Sequence, residues 1–402
     1  MSFANFVPLV IAARVLPIDE FGHYSIIWAI SLLVVSAATA LIVDPLPAIV
    51  STRSSTMLKP ILGAAAQLTF LLACCLAGLI LICGLGAWAW SPSSGLLLVC
   101  LALVVPMQQL QFACRRFCYI LRRQWVAAVS AVAYAAVLIG GVLLLWATSL
   151  CTAPRLILLW GGASLAAAAV GFAGSRVPLW KVAPRLRRWL LTRCWQSGKW
   201  LAGSNIALWL SGASVLPYTA LILGPSETGI LRAQLTLFMP VYQFAWAMGF
   251  LMVPVMADAG AKQPASQMRT QAVLMIAILG AAALAFSATI LIFGIALLDL
   301  VYGRSEITAQ SGLLWPLAIS VTVDVLTTSM AIVLTAKAAT RFIFWARVAS
   351  VVVFVVSAAC LVPTIALDGI VWALVIANCI CALIHIPALV RTLGRRDRML
   401  SL

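Results

Sequence analysis

Uninterrupted runs of apolar residues, each long enough to cross the hydrocarbon core of a membrane as a helix, dominate this chain. A helical crossing takes roughly 20 residues. The clearest runs lie at 125–147, 201–223, 235–256 and 272–298, and none of them contains a charged residue. Hydrophobic residues make up 64% of the 402 positions and charged residues 9%, a balance that a soluble core cannot accommodate. The sequence therefore predicts an all-α, polytopic membrane protein.

Further spans of the same kind bring the expected number of transmembrane helices to about twelve. They lie at about 24–43, 60–83, 95–113, 156–173, 313–336, 342–363 and 369–390, with a stunted one before Arg14. That first segment has no room for a full crossing, so either it starts among the lipid headgroups or translation starts upstream of Met1. It carries no basic leader or small-residue cleavage site, so we expect it to stay in the mature protein.

Basic residues are concentrated in every second loop, which predicts the orientation of the chain in the membrane. Four of the 26 Lys and Arg residues lie in the loops of the opposite set: Arg14, Arg155, Arg232 and Arg304. Because basic loops face the cytoplasm, both termini are expected on that side. The net charge of +16 is explained by this topology and by anionic lipid, so no nucleic acid partner is expected.

The eleven cysteines and two histidines do not form a pattern typical of a cofactor site. Most of the cysteines lie inside apolar spans, where they are simply small packing residues. No Cys-x-x-Cys pair accompanies a pair of histidines at metal-ligand spacing, and the histidines are His23 and His385. We therefore expect no metal and no organic cofactor, although a coupling ion, H⁺ or Na⁺, is compatible with the sequence.

A repeated motif indicates that the chain is duplicated. Residues 13–24 and 220–231 match at a constant offset, with Glu20 and Gly22 aligned on Glu227 and Gly229. An even number of spans separates the copies, so the two halves should be parallel and enclose a central cleft. The predicted organisation is an N-terminal lobe of six helices at 1–175, a basic linker at 176–199 and a C-terminal lobe of six helices at 200–402.

The linker at 176–199 is too charged to span the membrane. It combines seven basic residues with three tryptophans, and its apolar side chains fall at helical spacing: Leu186, Leu190, Leu191 and Cys194. This pattern predicts an amphipathic helix at the cytoplasmic membrane surface. A solvated basic linker tethered by its tryptophans is the alternative.

The stretches ARVLPIDEFGHYSIIWAISLLVVSAATALIVDPL and LILGPSETGILRAQLTLFMPVYQFAWAMGFLMVPVMADAG resemble the flippases of polysaccharide biosynthesis. Those proteins belong to the multidrug/oligosaccharidyl-lipid/polysaccharide exporter superfamily. The resemblance covers essentially the whole chain and includes a motif formed by Arg14, Leu16, Glu20, Gly22 and Tyr24. The sequence departs from the family in its short first helix and in the leucine, Leu231, at the second-copy aromatic position.

The resemblance implies a protein that flips lipid-linked oligosaccharide repeat units across the bacterial inner membrane by alternating access, rather than an enzyme. The implied substrate is an undecaprenyl-diphosphate-linked glycan of O-antigen or exopolysaccharide type. Implied partners are the lipid bilayer, a polysaccharide polymerase and other assembly proteins. Alternatives are a cation-coupled drug exporter of the same superfamily, a peptidoglycan lipid-precursor flippase and a membrane glycan enzyme, the last disfavoured by short outer loops without a concentrated acid/base pair.

Charged residues within spans are candidate substrate or ion sites, because burying a charge in lipid is costly. Asp324 lies near mid-membrane and is the first candidate for binding H⁺ or Na⁺. Asp44, before Pro45, is the alternative ion carrier, or a structural cap at a kink. Arg347 either snorkels to the cytoplasmic surface or faces the cleft. Further candidates are Arg14, which is otherwise a topological anchor, Gln243 and Asn205.

Polar residues inside the spans are expected either to bind sugar or to make hydrogen bonds between helices. They comprise Asn5, Gln108, Gln109, Gln111, Tyr218, Tyr242, Asn378, Thr322, Thr327, Thr328 and Ser329.

The topology is testable with reporters that are active only in the periplasm. A reporter fused after Ser401 should be inactive, because the basic loops place the C-terminus in the cytoplasm. A reporter inserted between Leu300 and Thr308 should be active. An active fusion after Ser401 together with a silent one in that loop would invert the assignment.

Overall fold

A computed structural model describes residues 2–51, 55–178, 183–262, 265–337 and 339–394. These ranges are helical with short turns and contain no β-strand. Within them, eight helices are long and apolar enough to cross a membrane, or nine if one bent pair counts as a single span. The prediction of an all-α, multi-pass membrane protein is confirmed. Some basic residues and a tryptophan of the predicted cytoplasmic loops, linker and C-terminus lie outside the described residues: Arg53, Trp180, Arg395, Arg396 and Arg398.

The chain divides into two compact units, Met1–Trp209 and Leu210–Leu402. Unit 1 contains α1 (Ser2–Val15), α2 (Ile18–Ile42), α3 (Leu46–Ser51), α4 (Ser55–Trp88), α5 (Pro92–Ile120), α6 (Gln124–Ala147), α7 (Ala153–Ser175) and most of α8 (Pro184–Ser211). Helix α5 packs against α2, α4 and α7, and α6 packs against α1 and α7. The central helix of unit 1 is therefore α5, its fourth span.

Unit 2 has a similar internal plan. It contains α9 (Val215–Leu223), α10 (Pro225–Leu237), α11 (Met239–Lys262), α12 (Ala265–Tyr302), α13 (Ser305–Ala309), a 3₁₀ turn at Ser311–Leu313, α14 (Leu314–Ala336) and α15 (Thr340–Gly394). Helix α14, the fourth predicted span of its half, packs against α11, α12 and α15. Each unit is thus organised around its fourth span. The lobe and linker boundaries predicted from the sequence, and the cleft between lobes, stay predictions.

Two predicted spans are interrupted in the structure. The span at 201–223 breaks in a turn between α8 and α9, and the span at 235–256 breaks at Phe238, between α10 and α11. A proline lies just after each break, Pro217 and Pro240. Because a proline lacks an N–H and its ring clashes with the carbonyl four residues earlier, it fits the first turn of a new helix, whereas it weakens or bends a continuing one. At each of these sites the predicted span therefore consists of two helical segments.

The two copies of the repeated motif adopt the same local structure. In the first copy α1 ends at Val15 and α2 begins at Ile18, and in the second α9 ends at Leu223 and α10 begins at Pro225. Glu20 and Glu227 each lie in the first turn of the helix that begins there, where a negative charge is favoured by the helix dipole. The repeated glutamate therefore marks a helix start.

The last 55 helical residues are two helices rather than one. Continuous helix of that length would be about 80 Å long, far more than the roughly 30 Å hydrocarbon core. The backbone leaves helical geometry at Ile365 and Ala366, where Ala366 has φ 45°, shortly after Pro363. A Cβ on Gly369 would lie 2.8 Å from the carbonyl oxygen of Leu361, so the chain turns tightly here. The separate spans predicted at 342–363 and 369–390 match these two segments.

The first half of α8 carries the described part of the predicted linker. Leu190 and Cys194 are buried against a cluster formed by the ends of α2, α4 and α5, with Leu186 and Trp189 at its edge. Leu191 is 48% exposed, so it does not share the buried face as predicted. The apolar face of this helix therefore packs mainly against unit 1 itself.

Gly198 allows α8 to approach α2 closely and provides a test of this packing. A Cβ at Gly198 would clash with the carbonyl oxygen of Leu41, whereas a Cβ at Gly203 on the same helix meets nothing within 4 Å. We expect Gly198→Ala to destabilise the purified protein by about 1–3 kcal/mol, as overpacking does. Gly203→Ala should be neutral or stabilising by up to about 1 kcal/mol, because alanine favours a helix. Melting temperatures in detergent check this, and equal effects at the two glycines would refute the close approach.

Candidate functional site

Asp324 on α14 and Arg347 on α15 form an ion pair in unit 2. The Arg347 guanidinium donates to Oδ1 of Asp324 at 3.1 Å, and the side chains are 6% exposed for Arg347 and 21% for Asp324. Arg347 also contacts the Ser211 hydroxyl at 3.5 Å. Of the two alternatives for Arg347, snorkelling to the surface is wrong, because its side chain is buried against the carboxylate.

Other ionisable side chains surround this pair. Tyr242 on α11 interacts electrostatically with Asp324. His385 and Cys381, on the second segment of α15, interact electrostatically with both members of the pair. His385 is 1% exposed, and its Nδ1 approaches the Cys381 carbonyl oxygen at 2.8 Å, while its Nε2 has no hydrogen-bond partner. Unit 2 therefore holds a compact group of interacting polar side chains around Asp324 and Arg347.

The hydroxyl side chains near Asp324 make hydrogen bonds mainly to the backbone of their own helix. Thr322, Thr327 and Ser329 each donate to the backbone carbonyl four residues earlier at 2.7–2.8 Å. Thr322 also contacts Ser287 on α12 at 3.0 Å. Local bonds of this kind satisfy hydroxyl groups in lipid-facing helices without a ligand. These residues therefore support the packing of α14 rather than contribute free groups to a site.

Asp44 and Asn205, two other candidates, have structural contacts within unit 1. Asp44 lies in the turn between α2 and α3, and its Oδ1 accepts a hydrogen bond from Arg116 at 3.0 Å. Asn205 donates to the Ser36 carbonyl oxygen at 3.3 Å and links α8 to α2. Asp44 is thus paired with an arginine at the α2–α3 turn.

Arg14 and Gln243, the two remaining candidates, lie on α1 and α11. Arg14 is exposed in the last turn of α1. Gln243 follows Tyr242 on α11 and is half-buried. Among the six candidates, the structure therefore brings together Asp324 and Arg347.

Arg232 is a buried cation that sequence reasoning assigned to an outer loop. It lies within α10, is 4% exposed and interacts electrostatically with Tyr302. Its position seven residues into a helix, after the helix-start motif at Glu227, is the signal that distinguishes it from a loop residue. Among the described residues, the buried side chains of charged type or histidine are Arg232, Arg347 and His385, and all three are basic.

A polar cavity lies inside unit 1. Its lining combines amides and a hydroxyl with aromatic rings: Asn5, Ser31, Gln108, Gln111, Trp28, Phe112, Tyr134 and Trp160, together with Leu32 and Val35. The volume of the cavity is about 60 Å³. Gln109 faces elsewhere and donates to backbone carbonyls of α2 at 3.2 and 3.4 Å. Among the three glutamines predicted on α5, Gln108 and Gln111 therefore face the cavity, and Gln109 holds α5 to α2.

In the described part of the chain, no three His, Cys, Asp or Glu side chains group closely enough to hold a metal ion.

The ion pair makes a stability prediction. Asp324→Asn should destabilise the protein by about 3–5 kcal/mol, because it leaves the buried Arg347 charge uncompensated. The double variant Asp324→Asn/Arg347→Gln should recover most of that loss, since it removes both charges. Asp44→Asn is the matched control: its pair with Arg116 is about one-third exposed, so it should cost at most about 1 kcal/mol. Thermal melts in detergent measure all three, and additive losses in the double variant would show that the two side chains do not interact.

Comparison with known proteins identifies the fold. No family model matches the sequence, and no curated protein matches it. Solved structures do match across almost the whole chain. An inward-facing multidrug resistance MATE family transporter of the MOP superfamily has a TM-score of 0.80 at 14% identity, covering 98% of this chain and 94% of that one.

Two further structures extend the comparison. The eukaryotic MATE transporter AtDTX14 gives a TM-score of 0.72 at 15% identity, covering 97% of this chain and 91% of that one. The lipid II flippase MurJ, in an inward closed conformation, gives 0.71 at 14% identity, covering 96% and 85%. The chain therefore has the all-helical fold shared by MATE transporters and the flippase MurJ.

Proposed function

We propose that this protein translocates lipid-linked oligosaccharide repeat units across the bacterial inner membrane for surface polysaccharide biosynthesis. The observation that carries the proposal is the sign of the buried charge: the buried Lys, Arg, Asp and Glu side chains that the structure describes are two arginines, Arg232 and Arg347. The fold supports it as well, because a flippase of a lipid-linked precursor is among the structures that share it.

Buried basic groups favour an anionic cargo. The diphosphate of a lipid-linked glycan cannot cross hydrocarbon unassisted, and a guanidinium binds phosphate oxygens through paired, charge-assisted hydrogen bonds. An organic cation would need buried acidic groups that are free to bind it. Asp324 and Asp44 are each already paired with an arginine, at 3.1 and 3.0 Å. The charge distribution therefore favours a diphosphate over a cationic drug.

The Asp324–Arg347 pair also offers a means of coupling transport to an ion. Binding of H⁺ or Na⁺ at Asp324 would weaken its attraction to Arg347 and so release the guanidinium for phosphate. Loss of the ion would restore the pair and expel the phosphate. Asp324 is thus the proposed carrier of the coupling ion, and Arg347 the proposed phosphate ligand.

The deletion of this protein tests the function in cells. A clean deletion in a strain without a redundant flippase should stop export of a surface polysaccharide, while the lipid-linked repeat unit accumulates on the cytoplasmic side. Surface glycan is measured by gel staining and the lipid-linked unit by mass spectrometry of extracts. Normal surface glycan in such a strain would exclude the proposed function.

Transport assays in reconstituted vesicles distinguish the proposed function from the other transporter functions. A prenyl-diphosphate-linked oligosaccharide should be flipped, whereas an organic cation should not be exported. MATE fold neighbours make the drug exporter the second candidate, and MurJ makes a peptidoglycan precursor the third, so lipid II is the remaining substrate to compare. Imposed H⁺ or Na⁺ gradients identify the coupling ion, and Asp324→Asn, which keeps Arg347, should lose any dependence on them.

A further inference from the structure

The outward side of the first half of α8 carries basic and aromatic residues. Because the apolar side of this helix, with Leu190 and Cys194, packs on unit 1, the basic side is the one left for a partner outside the unit. Residues three or four apart share one side of a helix. Seven exposed residues at this spacing, here called the α8 face, form two ridges: Arg188, Thr192, Trp195 and Lys199 in one, and Arg193, Gln196 and Trp200 in the other.

The α8 face has no acidic partner within unit 1. No Asp or Glu lies between Asp44 and Glu227, and Asp44 itself is paired with an arginine of α5. The remaining acids of unit 1, Asp19 and Glu20, lie in the first turn of α2, whereas α8 packs against Ile42 at the other end of that helix. The positive charge of the α8 face is therefore not neutralised by unit 1.

The direction of α8 adds to this excess of positive charge. The helix begins at Pro184, and its first five residues include Arg185, Arg187 and Arg188 but no acidic residue. The N-terminus of a helix carries a partial positive charge, so cations are unfavourable there and anions are favourable. A negatively charged group bound beside this end of α8 therefore offsets both the dipole and the repulsion among the arginines.

The α8 face lies next to the membrane, because α8 continues without a break into an apolar segment. Gly198–Ser211 forms, together with α9, a bent pair apolar enough to cross a membrane. Trp195 and Trp200 flank the start of that segment and are 58% and 75% exposed, as is typical of tryptophans at a membrane interface. At a rise of about 1.5 Å per residue, Arg193 lies about 8 Å outside Gly198, and the headgroup layer is roughly 5–8 Å thick. The cations nearest to this segment are therefore at the depth of the lipid phosphates.

We propose that the α8 face binds anionic phospholipid, with Arg193 and Lys199 on the headgroup phosphate and Trp195 and Trp200 at the boundary with the acyl chains. An arginine binds phosphate oxygens through paired hydrogen bonds, and a lysine supplies a point charge. A bilayer presents anionic lipid phosphates at this depth, whereas an acidic protein would have to reach into the headgroup layer. The inference goes beyond the proposed function, because it concerns the surrounding lipid and not the transported molecule.

The net charge of the lipid, and not its phosphate alone, decides whether it binds. Phosphatidylcholine carries a quaternary ammonium beside its phosphate, and the cations of the α8 face repel that group. Phosphatidylglycerol has the same phosphate and no cation. Each basic residue beside an anionic surface strengthens binding by about fivefold. Selectivity for phosphatidylglycerol over phosphatidylcholine is therefore the measurable property of the site.

Lipid retention by the full-length protein tests the site. The protein is purified in dodecyl maltoside and mixed with equal amounts of phosphatidylglycerol and phosphatidylcholine, and the lipids that stay bound are counted by native mass spectrometry. Wild type should retain at least about tenfold more phosphatidylglycerol. The triple variant Arg188→Gln/Arg193→Gln/Lys199→Gln should lower that preference to about threefold or less, because it removes three of the cations of the face.

The matched control is Arg269→Gln/Arg341→Gln/Arg391→Gln. These three arginines of unit 2 are exposed and belong to the predicted cytoplasmic side, so the control lowers the net charge of the protein by the same amount. Its preference for phosphatidylglycerol should stay within about twofold of wild type, because the α8 face is intact. Equal losses in the two triple variants would overturn the proposal, since any surface cation would then serve.

Two other occupants of the α8 face are outcomes of the same experiment. Equal retention of the two lipids by wild type overturns the proposal and leaves the face to an acidic protein. Displacement of phosphatidylglycerol by an equal amount of a prenyl diphosphate also overturns it, because the face then serves the transported lipid. If the triple variant fails to fold, wild type is crosslinked to a phosphatidylglycerol with a photoreactive headgroup. The labelled peptides should include residues 184–200, and labels confined to other segments refute the site.

Discussion

A charge or polar group inside a membrane protein needs a partner within the protein, because the surrounding hydrocarbon provides none. This constraint accounts for most of the specific contacts described above. Asp324 and Arg347 neutralise each other across α14 and α15, and Asp44 meets Arg116 between the α2–α3 turn and α5. Hydroxyl groups bond to carbonyls of their own helix. Each unit is thus arranged around its polar residues, although these are a small minority of the chain.

The fourth span of each unit, α5 or α14, makes several of these polar contacts. Helix α5 carries Gln108 and Gln109, which contact side-chain and backbone groups of α2. Helix α14 carries Ser320, which accepts a hydrogen bond from Asn378 at 3.0 Å, and Asp324, which pairs with Arg347. The most enclosed helix of each unit is therefore also one that carries polar side chains to the interior. The two units use it differently, since α5 brings amides to a neutral cavity and α14 brings a carboxylate to a cation.

The sequence predicted the helical class and the position of nearly every span, because crossing length and uninterrupted hydropathy are properties of the chain itself. It predicted that Asp324 is placed at depth, but not that Arg347 is its partner. That pairing depends on how α14 and α15 pack, which hydropathy does not contain. Arg232 was missed because a positive residue near a predicted loop is normally a topology signal, and its burial follows from the early start of α10 at Pro225. The unit 1 cavity combines residues from distant spans, such as Asn5 and Trp160, and no local pattern brings them together.

The Asp324–Arg347 pair has a consequence for the biosynthesis of the chain. The two residues lie 23 positions apart on successive helices, and the carboxylate is synthesised first. Helix α14 must therefore leave the translocon with a charge whose partner has not yet been made, at a cost of about 2.5–3.5 kcal/mol on insertion scales. An 18-residue stretch within Ser311–Ala336 has a mean hydropathy of 2.0 with Asp324 included, so the apolar residues of α14 compensate for that cost. Insertion of unit 2 is consequently ordered in time, with α14 held near the translocon or against earlier helices until the first segment of α15 delivers the arginine.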